Sequence, residues 1–156
     1  MAGTFRFTFG PWNIHEGADP FGPDVRESLT FNAKLACYKK LGFDGVQFHD
    51  DDAVPNLNNM TATQIAAEAT ALKKTLDEHG LFAEFVAPRL WFDPRTIDGG
   101  FTNNCPECRA FAMERFKKTV DIARLLGSNL VVLWFAREGT YIREAKDSRL
   151  AVQRIA

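Results

Sequence analysis

Short apolar runs alternate with segments of helical periodicity along most of the chain. The strand-like runs cover residues 4–9, 45–49, 81–87 and 129–134. Apolar residues at helical spacing predict helices over about 30–41, 61–79 and 104–126, with a further helix beginning near 147–148. This strict alternation of apolar strands and helices predicts an α/β fold in which helices cover a parallel sheet.

Local start and stop signals support these helices. Thr61 and Gln64 form a capping-box pattern. Asn104 is the expected cap of the third helix, with Pro106 in its first turn. Three helices are predicted to end at glycines, namely Gly42, Gly80 and Gly127.

The connections that follow the strands are longer than those that precede them. The segments 12–30, 49–61 and 91–104 exceed the usual length of such connections, whereas the turns from helix to strand are tight. This asymmetry places the functional face at the carboxyl ends of the strands. One polar group and three large aromatic residues lie at or just beyond those ends: Trp12, His49, Trp91 and Trp134. If the four strands are neighbours, these side chains converge.

The second strand-like run ends in a histidine followed by three carboxylates, Asp50 to Asp52. An imidazole moves protons near neutral pH, and a nearby carboxylate can hold its tautomer and orientation. A turn after His49 would fold Asp52 back onto the ring. We interpret His49 and Asp52 as a candidate proton-transfer pair; the alternative is a solvated acidic turn with an ordinary histidine.

Composition narrows the possible classes of protein. The chain has 156 residues, of which 46% are hydrophobic and 25% charged, which suits one domain with a hydrophobic core. A net charge of −1 offers no attraction for nucleic acid or an anionic membrane. The first residues lack the pattern of a secretory signal, and the apolar run 130–136 is far too short for a membrane span. We expect a cytoplasmic protein.

The cysteines and the other histidines give weaker signals. Three cysteines do not suggest a disulfide framework. Cys105 and Cys108 form a C-x-x-C at a helix start, where thiolates are stabilised, but a zinc site would need two more ligands and Cys37 lies on another helix. Two ordinary thiols are the favoured interpretation, with a redox or metal role as the alternative. His79 suits a helix end, and the role of His15 stays open.

Five motifs occur in order over nearly the whole chain: Arg6-Phe7-Thr8-Phe9-Gly10 with Trp12, Asp19-Pro20-Phe21-Gly22, Phe48-His49-Asp50-Asp51-Asp52 with Pro55, Asp98-Gly99-Gly100-Phe101-Thr102-Asn103, and Trp134 with Arg137-Glu138-Gly139. Together they resemble xylose isomerase, and most closely its shorter, actinobacterial-type members. The resemblance implies a (β/α)8 barrel that converts D-xylose to D-xylulose by a hydride shift. Two divalent cations, Mg or Mn, assist this shift.

The resemblance also implies roles for individual residues. His49 would act at the ring oxygen of the sugar during ring opening, and Asp52 would orient it. Trp12 and Trp134 would line the substrate channel and exclude water, which favours hydride transfer. Phe21 would extend into the site of a neighbouring subunit, so a functional homo-oligomer, a dimer or tetramer, is implied.

Some positions depart from the family pattern. Arg89-Leu90-Trp91 stands where the family usually has Asn-Leu-Phe, so Trp91 would replace a phenylalanine in the wall of the site. Ala136 replaces a glycine, and the residues after Trp12 also differ. The preferred sugar therefore stays open.

The chain is short for the implied barrel, which needs roughly 250 residues. We therefore expect residues 1–156 to form a single partial domain, the four N-terminal β/α units of a half barrel, inactive alone. No metal ligand can be assigned in this chain, and the family's metal ligands and catalytic lysine are expected beyond residue 156.

Two alternatives to a sugar isomerase remain. One is another metal enzyme of the same barrel type, such as a sugar epimerase or an abasic-site endonuclease; the charge and the single strand-end histidine argue against the endonuclease. The other is a non-catalytic half-barrel that binds a sugar or a partner. We expect a small sugar and other copies of the chain as partners, and neither nucleic acid nor membrane.

Overall fold

A computed structural model describes residues 5–17, 22–140 and 142–156. The strands are β1 (Thr8–Phe9), β2 (Gly45–His49) and β3 (Phe82–Ala87). The helices are α1 (Phe31–Leu41), the single turn α2 (Asp50–Ala53), α3 (Ala62–Glu78), α4 (Pro106–Leu125) and α5 (Ser148–Ile155). Short 3-10 turns occupy Pro11–Asn13, Leu57–Asn59, Leu90–Phe92, Pro94–Thr96 and Arg143–Ala145. The predicted α/β class is confirmed by this alternation.

The three strands form one parallel sheet in the order β1-β2-β3. In its register Gly45 lies beside Phe82 and His49 beside Ala87, so the ends of β2 and β3 meet at one edge. The first strand is shorter than the predicted range 4–9. Of the described residues in that range, only Thr8 and Phe9 pair as a strand.

The prediction of a fourth strand at residues 129–134 is wrong. Val131 makes a single parallel bridge with Val86. Two hydrogen bonds flank it, from Val86 N–H to the Leu130 carbonyl (3.2 Å) and from Val132 N–H to the Val86 carbonyl (3.1 Å). Within the described ranges no further strand pairs with this edge, and a strand paired on one side only gains half of its possible ladder. The four-stranded half barrel is therefore not confirmed.

Most helix boundaries follow the local signals. The capping box is formed: Gln64 N–H donates to Thr61 Oγ1 and Thr61 N–H to Gln64 Oε1. Gly42, Gly80 and Gly127 all have positive φ where their helices end. Asp147 caps α5 through the N–H groups of Arg149 and Leu150.

The predicted cap of α4 is wrong. Cys105 occupies the cap position and Pro106 is the first helical residue. The side chain of Asn104 instead donates a hydrogen bond to the Ala145 carbonyl, 2.7 Å away. The side-chain amide that the local pattern assigned to the cap is therefore used in a contact with a residue 41 positions away.

The hydrophobic core lies between the sheet and the three long helices. Its largest members are at most 1% exposed: Leu35, Tyr38, Val46, Phe48, Leu76, Val86, Ile122 and Leu126. None of the helices in the described part of the chain combines the length and apolarity needed to cross a bilayer.

Candidate active site

The end of β2 delivers a histidine to the edge of the sheet. Along the strand, Phe48 is fully buried in the core, and His49 is 13% exposed at its side chain. Helix α2 begins immediately afterwards, and acidic residues in a first turn favour such a helix start. This turn folds Asp52 back, so that its Oδ2 lies 2.9 Å from Nδ1 of His49 and accepts the His49 backbone N–H at 3.2 Å. The predicted juxtaposition of the two side chains is present.

A cation, Arg89, contacts both members of this pair. In the sequence it was noted only as part of a departure from the family pattern. Arg89 follows β3, and its Nη2 lies 2.7 Å from Oδ1 of Asp52 and 2.5 Å from Nδ1 of His49. Its Nε lies 3.1 Å from Oδ1 of Asp51. An imidazole nitrogen holds either one proton or one lone pair, so Nδ1 can donate to Asp52 or accept from Arg89, but not both at once.

The first carboxylate of the run has a different environment. Asp50 is fully buried, and Nε and Nη2 of Arg115 on α4 each donate to it at 2.7 Å. Thr119 Oγ1 and the Arg89 backbone N–H also donate to Asp50, at 3.2 and 3.0 Å. The alternative of a solvated acidic turn is therefore wrong for this residue. Arg115 was missed, although it falls on the same helical stripe as the apolar Ala112 and Ile122.

The charges around the turn set the protonation of its carboxylates. Burial alone would raise the pKa of Asp52, but the hydrogen bond from His49 and the charge of Arg89 outweigh it and hold that pKa below its ordinary value. For Asp51, burial and the neighbouring Asp50 carboxylate raise the pKa despite the two arginines. Asp52 is thus the carboxylate best suited to remain ionised beside the imidazole.

Aromatic rings pack around His49. The ring centroids lie 4.2 Å apart for Trp12 and His49, 5.2 Å for His49 and Trp91, and 4.5 Å for Trp91 and Trp134. We call the three indoles the aromatic wall. A Cβ atom at Gly10 would overlap the Trp12 indole, so the glycine lets this ring fold back towards His49.

The aromatic wall borders a cavity of about 430 Å³ that also includes His49 and Arg89. The other side chains in its lining are mostly apolar: Phe85, Ala87, Phe92 and Val132. A larger cavity of about 740 Å³ is lined only by residues of 138–140 and 146–151, which lie close to one another in the sequence. The smaller cavity brings together the ends of several strands, and it is the better candidate for a binding site.

The remaining predicted residues lie elsewhere. Phe21 falls outside the described residues. His15 is exposed, and its Nδ1 accepts the N–H of Gly17 at 2.9 Å. Cys105 and Cys108 are free thiols, and the hydrogen bond between them raises the pKa of Cys108, which favours an ordinary protonated thiol.

The carboxylates beside the cavity do not fit a metal ion. In the part of the chain that the structure describes, no three His, Cys, Asp or Glu side chains are placed to ligate one. Arg115 holds Asp50 and also lies 3.2 Å from Asp51, and Arg89 lies against Asp51 and Asp52. The negative charge that would attract a cation is therefore already paired.

Comparison with known proteins places this geometry in a family. Residues 35–156 match the family model described as xylose isomerase-like TIM barrel. The chain belongs to this family. The resemblance found in the motifs is thereby confirmed.

Individual relatives agree with this placement. Xylose isomerase from Thermus caldophilus is 37% identical over 148 residues, which are 92% of this chain and 37% of that protein. Xylose isomerase from Thermus thermophilus is 37% identical over 146 residues, with the same two coverages. The chain thus spans little more than a third of the length of the curated relatives it matches.

Solved structures share the fold at low sequence identity. A D-psicose 3-epimerase crystallised in the presence of D-fructose has a TM-score of 0.53 and 17% identity, and the match covers 81% of this chain and 39% of that one. A 3-keto-D-glucoside 4-epimerase from E. coli has a TM-score of 0.55 and 11% identity, covering 96% of this chain and 48% of that one. At these identities the likeness concerns the fold alone.

Proposed function

We propose that this chain carries the ring-opening pair and part of the sugar-binding wall of an aldose–ketose isomerase that converts D-xylose to D-xylulose. Residues 1–156 would form one partial domain, the N-terminal half of a (β/α)8 barrel. The observation that carries the proposal is the His49–Asp52 pair, 2.9 Å apart, beside the aromatic wall, of which Trp12 lies beyond the end of β1 and Trp91 beyond the end of β3. The two relatives named xylose isomerase support the choice of reaction.

Ring opening is the step that this chain's own residues can perform. A proton leaves the anomeric hydroxyl, the C1–O5 bond breaks with its electron pair going to the ring oxygen, and that oxygen takes up a proton. Among the described residues Nε2 of His49 has no hydrogen-bond partner, whereas Nδ1 faces Asp52. Nε2 can therefore take the proton from the hydroxyl and return it to the ring oxygen, which leaves the imidazole as it began. Asp52 holds the ring in place through Nδ1.

The aromatic wall provides a surface for the sugar. The apolar C–H face of a sugar ring packs well against an indole, and indoles lining a cavity exclude water. Water exclusion favours transfer of a hydride between adjacent carbons over exchange of a proton with solvent. Trp12, Trp91 and Trp134 would serve in this way, and Phe21 would do so in a neighbouring subunit of a homo-oligomer.

The hydride shift itself would require divalent cations, Mg or Mn, for which the described residues form no ligand set. The paired carboxylates beside the cavity do not fit them. We propose that the ligands come from positions beyond residue 156.

The ring-opening role is tested on the 156-residue chain without metal. Exchange between the α and β anomers of D-xylose is followed by two-dimensional exchange NMR at several protein concentrations. His49→Gln should reduce the protein-dependent rate by roughly 100-fold or more, which is the usual contribution of a general acid–base group. His79→Gln is the matched control, because His79 caps α3 and should leave the rate unchanged. Absence of protein-dependent exchange, or equal rates for His49→Gln and wild type, would contradict the role.

The full reaction is tested in a chimeric enzyme. Residues 1–156 can replace the matching segment of the Thermus caldophilus enzyme, to which 92% of this chain aligns. We expect D-xylulose from D-xylose when the chimera is supplied with Mg or Mn, and none from the 156-residue chain. A product epimerised at one carbon would favour the epimerase alternative, and a folded but inactive chimera would favour the non-catalytic one.

A further inference from the structure

The third indole of the aromatic wall has little support from the sheet. Trp134 is 61% exposed, and the segment before it is joined to β3 by the single bridge at Val131. Its ring nevertheless lies at a defined place, with its centroid 4.5 Å from that of Trp91 and the two ring planes at 71°. A side chain on such a segment keeps one position when the chain is anchored on both sides of it, because ordering each free residue costs about 1–2 kcal/mol of backbone entropy.

The anchor on the carboxyl side of the indole is Glu138. Its Oε1 accepts the backbone N–H groups of Gly100 and Phe101 at 2.9 and 3.2 Å. Its Oε2 accepts the N–H and the hydroxyl of Thr102 at 2.8 and 2.7 Å. Hydrogen bonds to an ionised acceptor are roughly twice as strong as those between neutral groups. We call this contact between Glu138 and residues 100–102 the latch.

The loop that receives the carboxylate of Glu138 is fixed by contacts of its own. Gly99 has a φ of 93°, which residues with a side chain rarely adopt, and successive N–H groups beside such a residue form a concave site for an anion. A Cβ atom on Gly99 would lie 2.8 Å from Nζ of Lys146. The side chain of Lys146 is only 3% exposed, and it donates to the carbonyls of Asp98 and Gly139 at 2.5 and 3.0 Å. The latch is therefore part of a rigid arrangement of the two loops.

The bridge and the latch enclose Trp134 between them. Val131 lies three positions before the indole, and Glu138 lies four positions after it. The backbone N–H of Glu138 also donates to the Phe135 carbonyl at 3.2 Å, so a turn joins the latch to the residue that follows the indole. Phe135 packs on the same loop, with its ring centroid 6.5 Å from that of Phe101. Release of Glu138 would therefore free the chain immediately after Trp134.

We propose that Glu138 is a positioning residue that holds Trp134 in the aromatic wall through the latch. The proposal rests on the proposed function for the meaning of the wall, but the position of the indole can be measured without any sugar. Trp134 borders the cavity beside His49, and Glu138 is not part of the lining of that cavity, so Glu138 acts through the indole. A contact that only stabilised the fold would leave the place of the indole and the exchange rate unchanged under native conditions.

The first test measures the contact between Trp91 and Trp134 by circular dichroism in the far ultraviolet, in the 156-residue chain. Two indoles that lie close together and are not parallel couple their electronic transitions and give a positive and a negative band of similar size. The difference between wild type and Trp134→Ala isolates this signal from that of the helices. Glu138→Gln keeps the size of the side chain but replaces an acceptor oxygen by an amino group that faces N–H donors. It should lose most of the paired bands in native buffer.

Anomer exchange gives the second readout. Trp134→Ala should lower the protein-dependent rate by roughly three- to tenfold, and Glu138→Gln should lower it by a similar factor. The double variant should be no slower than Trp134→Ala alone, because both changes remove the same indole from the wall. Glu144→Gln is the matched control, since Glu144 is an exposed glutamate of the same segment. It should leave both the paired bands and the rate unchanged.

A second variant covers the case in which Glu138→Gln does not fold. Thr102→Val removes the hydroxyl of the latch at nearly constant volume, and it should lose part of the paired bands. Unchanged bands in Glu138→Gln, or in Thr102→Val where the first variant is unfolded, would overturn the proposal. A double variant slower than Trp134→Ala alone would overturn it as well, because Glu138 would then act by another route.

Failure of this proposal and failure of the proposed function are distinguishable. Unchanged paired bands in Glu138→Gln together with normal anomer exchange would contradict only the role of Glu138. Lost bands in that variant without any protein-dependent exchange in the wild-type chain would contradict only the ring-opening function.

Discussion

Two ionic clusters each include residues of the run 49–52, and they differ in their exposure to solvent. In the first, Asp50 and Arg115 have side chains that are 0% and 4% exposed. In the second, the side chains of His49 and Asp52 are 13% and 23% exposed and lie beside the cavity. We call them the sealed cluster and the open cluster.

The difference shows how neighbouring carboxylates acquire different tasks. The sealed cluster satisfies Asp50 with two hydrogen bonds from Arg115 and one from Thr119, and its full burial keeps it out of contact with a ligand in the cavity. The open cluster leaves Nε2 of His49 without a partner among the described residues. We therefore expect changes in the sealed cluster to affect stability and changes in the open cluster to affect chemistry.

The largest expected effect is on stability in the sealed cluster. Asp50→Asn removes the fully buried counterion of Arg115, which then keeps only the partly exposed Asp51 carboxylate at 3.2 Å, and should lower the free energy of unfolding by about 3–5 kcal/mol. Urea denaturation followed by circular dichroism measures this loss. The double variant Asp50→Asn with Arg115→Met should recover much of it, because the buried charge that lost its counterion is gone. A loss of less than about 1 kcal/mol in the single variant, typical of an exposed pair, would erase the distinction between the clusters.

The next effect concerns the aromatic wall of the open cluster. Trp91 contacts both His49 and Trp134, so Trp91→Ala should open the cavity to water. We expect the anomer-exchange rate to fall about tenfold, which corresponds to about 1.4 kcal/mol of activation free energy. Phe7→Ala, at an exposed residue outside this wall, is the control. Equal rates for Trp91→Ala and wild type would remove Trp91 from the site.

A smaller effect should appear in the pH dependence of stability. Because the pKa of native Asp52 is lowered by His49 and Arg89, this residue contributes stability above the unfolded value of about 3.9. That contribution is lost as the pH falls below this value through the lower native pKa. Asp51 acts in the opposite sense, since its pKa is raised. The difference between wild type and Asp52→Asn in urea midpoints over this range isolates Asp52; a constant difference at all pH values would contradict the expectation.

The smallest effect is expected for an ion pair that belongs to neither cluster. Lys73 and Asp77 lie one helical turn apart on α3, with side chains 36% and 59% exposed. Lys73→Ala should change the free energy of unfolding by no more than about 0.5 kcal/mol, because solvent screens the pair. A loss as large as that of Asp50→Asn would show that burial does not separate these pairs.

Local signals in the sequence were sufficient for much of the fold. The capping box at Thr61, the helix-ending glycines and the apolar run of β2 each depend on residues a few positions apart. The same holds for the His49–Asp52 contact, which spans three residues and one turn of chain. The alternation of strands and helices also predicted that the three indoles converge, and they do so in the aromatic wall, although the segment before Trp134 forms only a single bridge.

Contacts between distant residues were beyond such reasoning. Arg89 meets His49 across 40 positions, and Arg115 meets Asp50 across 65. The residues 129–134 have the composition of a strand, yet only Val131 forms a bridge, because pairing depends on a neighbour and not on propensity. In the same way, the side chain of Asn104 does not cap α4, because it donates a hydrogen bond to the distant carbonyl of Ala145.

By itself, the sequence determined the α/β class, most of the helix ends and the pairing of His49 with Asp52, because local periodicity and short turns encode these features. The family followed from the resemblance of its motifs. Only the tertiary structure decided which carboxylates are sealed and which are open, and which cations reach them. The physical reason is that burial and ion pairing depend on the distances between side chains far apart in the chain, and folding alone sets those distances.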